Sequence, residues 1–204
     1  MGPPANPVTC ESMLASLRAE FPRFQVVPKR GSPMSKAIDV ALRIVTVGSQ
    51  RHYLTRYHTV LGYTLFVPDS WATTSDVDRV IVLRHERVHL RQRRRWGMVA
   101  FSLLYLLPIL PLGLAYGRAR FEWEAYRETL FATAELRGPQ AARSPALRRE
   151  IIGRFLDGSY GWMWPFRKQV QGWYARVMIE LDGVYGGNDR VSSPAPTTPK
   201  GARA

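Results

Sequence analysis

Residues 76–95 read DVDRVIVLRHERVHLRQRRR, and this stretch decides how the chain is read. Thr73-Thr74-Ser75 stand in front of it as N-cap candidates, and Asp76 and Asp78 put negative charge in the first turn of a helix. A helix over 76–95 is therefore expected, with the apolar run 80–83 leading into His85-Glu86-Arg87-Val88-His89. That is an HExxH sequence. Histidines four apart share one helical face, so both imidazoles can point at a single metal ion. Glu86 then sits beside the ion, placed to take a proton from water. Imidazole and carboxylate ligands around an open position are the usual catalytic set of zinc. With 4 His and 9 Glu in 204 residues, chance yields this spacing in roughly 0.3% of shuffled chains, so two histidines on a solvated arginine-rich face is the weaker explanation.

Working outward, Met13, Leu14, Leu17 and Phe21 recur at helical spacing over 11–21. Residues 24–27, 41–47 and 60–67 are rich in β-formers and predict a small sheet of about three strands. Downstream, helices are expected over 118–136, 145–157 and 165–182, the last two separated by the aromatic, glycine-rich stretch GSYGWMWPF. Residues 1–8 and 187–204 are rich in Pro, Ser, Thr and Gly and should be flexible tails, which leaves one domain over 9–186.

The whole chain fits one ordinary domain at 204 residues and 23.2 kDa. A hydrophobic content of 46% excludes a disordered chain. The single Cys10 excludes an intrachain disulfide framework and any multi-cysteine metal cluster. The 29 Lys and Arg against 16 Asp and Glu give a net charge of +13, which favours nucleic acid, an anionic membrane surface or acidic protein as partners. The first 30 residues show neither a basic n-region nor an apolar run, so export by the general pathway is not expected.

A catalytic zinc needs a third protein ligand. Leu90-Arg91-Gln92 follows His89, so the arrangement HExxHxxGxxH is absent, and the other histidines, His52 and His58, lie upstream near the strands. A downstream carboxylate is the better candidate, and residues 118–127, RARFEWEAYR, offer Glu122 and Glu124. Here the sequence resembles the gluzincin metallopeptidases, in which HExxH on one helix is completed by a glutamate from a second, often within ExxAD. It is similar to the CAAX prenyl endopeptidase and heat-shock membrane protease group, whose RxxxExxAD is matched at Arg118, Glu122 and Ala125, with Tyr126 in place of the final Asp. The match spans residues 57–128, about a third of the chain.

The resemblance implies zinc as cofactor, His85, His89 and Glu122 as its ligands with Glu124 in reserve, and Glu86 as general base. It implies a zinc endopeptidase acting on a protein or peptide substrate. It also implies an α+β fold, a minimal zincin: a small antiparallel-type sheet, then the HExxH helix and the glutamate helix, with an apolar helical hairpin between them. The change at Tyr126 removes one hydrogen bond of the kind that orients metal-bound histidines. Tyr126 lies on the Glu122 face, where its phenol can either donate to a developing oxyanion or simply pack. A non-catalytic assembly protein that keeps the fold as a scaffold is the competing expectation.

Residues 96–117 carry no charge, and as one straight helix they would reach about 33 Å, enough to span a bilayer core. A single crossing would put His85 and His89 on one side and Glu122 on the other. Gly97 and Gly117 bracket the run, and Pro108, Pro111 and Gly113 lie near its middle, so a hairpin over 97–117 is expected. It either dips into one leaflet or packs as a buried helix pair. Arg91, Arg93, Arg94 and Arg95 before it, and Arg118 and Arg120 after it, are candidate contacts for anionic headgroups. Nucleic-acid phosphates are the less favoured anion, because the arginines abut the apolar run. The expected location is the cytoplasm, at the inner face of a membrane.

Overall fold

The computed structural model describes residues 8–29, 59–106, 115–157 and 163–186. Helix α1 (Cys10–Glu20) opens on a reciprocal cap, the Thr9 hydroxyl accepting from Ser12 N and the Ser12 hydroxyl from Thr9 N. Strand β1 (Gln25–Pro28) follows, then β2 (Thr59–Leu61) and β3 (Thr64–Val67). Gly62 adopts φ 61° between β2 and β3, which suits the two-residue turn of a tight hairpin. A 3-10 turn over Asp69–Thr73 leads to α2 (Asp76–Trp96), where Ser75 is the N-cap and accepts from Asp78 N at 3.1 Å. Then come α3 (Met98–Leu106), α4 (Tyr116–Arg137), the short α5 (Pro139–Ala142), α6 (Pro145–Leu156) and α7 (Arg167–Tyr185).

Two hydrophobic cores flank the long helices. One joins Met13, Leu17 and Phe21 of the N-terminal segment to Leu65 and Val67 of β3 and to Val80, Leu83 and Leu90 of α2. The other joins Trp123, Leu130 and Ala134 of α4 to Ile151 and Phe155 of α6 and to Val170, Trp173 and Val177 of α7. So α2 gives most of its apolar stripe to one core and α4 most of its own to the other, and between the two helices runs a polar seam, with Trp96 packed on Phe121 at one end. Helix α3 packs beside α4 through Phe101 against Phe121, and the backbones come close there. A Cβ on Gly117 would meet the Leu104 carbonyl oxygen at 2.8 Å, so this crossing requires glycine.

The expected α+β minimal zincin with an antiparallel-type sheet is overturned. The described chain is mostly helical, and its only sheet has strands of three or four residues in the order β1-β3-β2. That sheet is mixed: β1 runs parallel to β3, with Val26 opposite Leu65, while β2 is antiparallel to β3. Alternation of β-formers cannot report strand direction, which is why the sequence did not distinguish parallel from antiparallel pairing. The expected strand 60–67 is two strands, because Gly62 folds it on itself. The expected strand 41–47, both tails, His52, His58 and the residues Pro108, Pro111 and Gly113 lie outside the described residues, apart from Val8. Of the residues expected to form the apolar hairpin, Met98–Leu106 is a helix, and the glutamate helix begins at Tyr116, earlier than expected. Among the described residues, no helix is long and apolar enough to cross a membrane.

Candidate metal centre

The seam between α2 and α4 holds the chemistry. His85 and His89 project from α2, and Glu122 projects from α4 between them. The two Nε2 atoms are 3.3 Å apart. Glu122 Oε2 lies 3.8 Å from His85 Nε2, and its Oε1 lies 3.8 Å from His89 Nε2. One ligand atom from each of the three residues falls within 4.8 Å of the others, close enough to hold a metal ion. Glu122 and His89 are buried and His85 partly so, which is why convergence of these groups is informative.

The far side of each imidazole is also engaged. His85 Nδ1 lies 3.0 Å from Thr129 Oγ1, and His89 Nδ1 lies 2.9 Å from Gln92 Oε1. Gln92 in turn donates to the Phe121 carbonyl at 3.0 Å and to Glu124 Oε2 at 2.8 Å. Glu124 is thus tied to Gln92 and does not join the three-residue group. Sequence reasoning missed Gln92 and Thr129. Helical spacing carried the signal, since Gln92 is one turn beyond His89, and Thr129 continues the face of Glu122 and Tyr126.

Glu86 is buried next to this group. Burial raises its carboxyl from the ordinary 4.5 to about 7, with His89 pulling it down and Glu122 pushing it further up. The Tyr126 ring stacks edge-on against His85, with centroids 5.0 Å apart, and against Phe155. It walls the site on that side.

Ion pairs extend the seam. Arg84 reaches from α2 to Glu128 at 2.7 Å and Glu135 at 2.5 Å on α4, and Arg137 pairs with Asp78. The arginines expected to meet anions take different positions. Arg91 and Arg94 bind Glu20 of α1, together with Arg87. Arg93 is buried, its guanidinium over the Tyr63 ring and bonded to the Gly62 carbonyl. Arg120 lies over Trp173, Arg118 is half-buried, and Arg95 is exposed. A cavity of about 370 Å³ opens between α1 and α2, lined by Met13, Arg87 and Val88 among others, and none of the three candidate ligands lines it. No known protein family, curated protein or solved structure matches this chain.

Proposed function

We propose that this chain is a zinc-dependent endopeptidase whose metal is held by His85, His89 and Glu122. The observation that carries the reading is the convergence of both HExxH histidines on a glutamate of a second helix, with the motif's own Glu86 buried alongside. Two imidazole nitrogens and one carboxylate oxygen are donors that suit zinc, and His85, His89 and Glu122 would hold it. The pattern of ligands is the one by which the sequence resembles the gluzincin peptidases, carried here on a mostly helical frame.

Held by His85, His89 and Glu122, a zinc ion would supply Lewis acidity to a peptide carbonyl and to an attacking water. Glu86 takes a proton from that water on a carboxylate oxygen and returns it to the leaving amine. Tyr126, packed on His85, limits access from its side. The test is metal analysis with peptide-library hydrolysis for the wild type and Glu86→Gln: one zinc per chain in both, with cleavage by the wild type alone.

A structural metal is the second reading, and one observation favours it. The candidate ligands lie on the two helices that carry separate hydrophobic cores, so an ion there would tie those cores together. On that reading zinc stabilises the fold and no peptide is cut.

We further infer that the protein works at an anionic membrane surface. Trp96, Met98, Val99 and Leu103 are exposed on and just before α3, which carries no charge, and the exposed Arg94 and Arg95 stand at its base. Apolar side chains beside cations match a headgroup region above acyl chains. Co-sedimentation with anionic and neutral vesicles tests it.

A further inference from the structure

We propose that Thr129 and the Gln92–Glu124 pair are positioning residues that hold both metal-site imidazoles in the Nδ1–H tautomer, so that α4 supplies one ligand and aims the other two. The inference deepens the zinc reading and rests on it for its purpose, although the tautomers themselves can be measured without metal.

Proton counting around each ring carries the inference. The Thr129 hydroxyl has one hydrogen, and the Ala125 carbonyl 3.2 Å away offers it an acceptor. With that hydrogen given to the carbonyl, the oxygen accepts from His85 Nδ1 across the 3.0 Å contact, and this is the direction we propose. Gln92 has two amide hydrogens, and both are committed: one to the Phe121 carbonyl, one to the Glu124 carboxylate. Neither acceptor carries a hydrogen of its own, which fixes which end of the Gln92 amide is oxygen. Oε1 therefore faces His89 Nδ1 and accepts from it at 2.9 Å. With Nδ1 protonated in both rings, each Nε2 carries the lone pair.

On α4 Thr129 orients His85, and on α2 Gln92 orients His89. Gln92 is itself locked only when α4 is docked, because both of its acceptors belong to α4. The site is then assembled by one packing event.

The test combines nitrogen-15 imidazole correlation spectra of the metal-free protein at alkaline pH with zinc affinity measured against a chromophoric chelator. Wild type should show the Nδ1–H pattern for His85 and His89. Thr129→Val should abolish it at His85, Gln92→Met at His89, each weakening zinc binding about 10- to 100-fold, while Thr129→Ser restores both readings. Glu124→Ala, at an exposed position that leaves the cores intact, should mix the His89 tautomers and weaken zinc to a smaller extent. An Nε2–H pattern in the wild type overturns the proposal, as do unchanged spectra and affinity in both Thr129→Val and Gln92→Met. Wild type that binds no zinc but shows the expected tautomers would sink the zinc reading and leave the positioning role standing.

Discussion

Gln92 Nε2 donates to Glu124 Oε2 over 2.8 Å, while Glu122, two residues earlier on the same helix, faces both histidine Nε2 atoms at 3.8 Å. Residues two apart on a helix point to different sides, so the two carboxylates have different duties. Glu122→Ala should remove zinc, as should His85→Ala and His89→Ala. Glu124→Ala should keep about one zinc per chain at reduced affinity. Metal analysis after dialysis reads both, and loss of metal in Glu124→Ala with retention in Glu122→Ala would reverse the assignment.

Glu86→Gln should keep its zinc and lose nearly all peptide hydrolysis, a fall of roughly 10²–10⁴-fold for a missing general base. The amide fits the same buried space but cannot take up a proton. A wild type that cuts nothing, yet melts at much lower temperature without zinc, selects the structural reading.

Glu20 makes the stability acid-sensitive. Bonding to Arg91, opposed in part by burial and reinforced by Arg87, brings its carboxyl down from the ordinary 4.5 to about 2. A carboxyl lowered in the folded state contributes stability that is present above pH 4.5 and lost as pH falls toward 2. Glu20→Gln should lower stability at neutral pH by about 2 kcal/mol, as befits charge-assisted bonds, and flatten that acid limb. Denaturant melts at a series of pH values measure it; parallel curves for the two proteins would remove Glu20 as the cause.

Gly117→Ala should destabilise the protein by about 1–3 kcal/mol, since the new methyl meets the Leu104 carbonyl and α3 must move away from α4. Gly172→Ala, where nothing lies within 4 Å of the added Cβ, is the matched control and should be stable or slightly more so. Thermal melts that rank the two the other way would contradict the close crossing.

Vesicles rich in anionic lipid should bind the protein better than neutral ones, with salt weakening the binding. Replacing the exposed Val99 and Leu103 by Ser should release it without unfolding, because neither side chain is buried. Equal recovery with both vesicle types, or unchanged binding by the double variant, would reject a lipid-facing α3.

The metal site was half legible in the sequence. His85, Glu86 and His89 could be named because helical spacing alone puts the two imidazoles on one face, and Ser75, Asp76 and Asp78 announce that helix. Helices at Cys10–Glu20, Pro145–Leu156 and Arg167–Tyr185 followed from the same local rules of spacing and capping. What local rules cannot carry is direction and partnership over distance. The parallel pairing of β1 with β3 depends on how the chain returns, not on which residues are β-formers. The choice of Glu122 over Glu124 as the residue facing the histidines, and the use of Gln92 and Thr129 to aim them, depend on the rotation of α4 about its axis. That rotation is set by Trp123, Leu130 and Ala134 settling into a core built with residues far along the chain from the motif. Sequence determined which groups could do the chemistry; tertiary packing decided which of them meet, because only burial of the opposite helix faces fixes the angle at which they are presented.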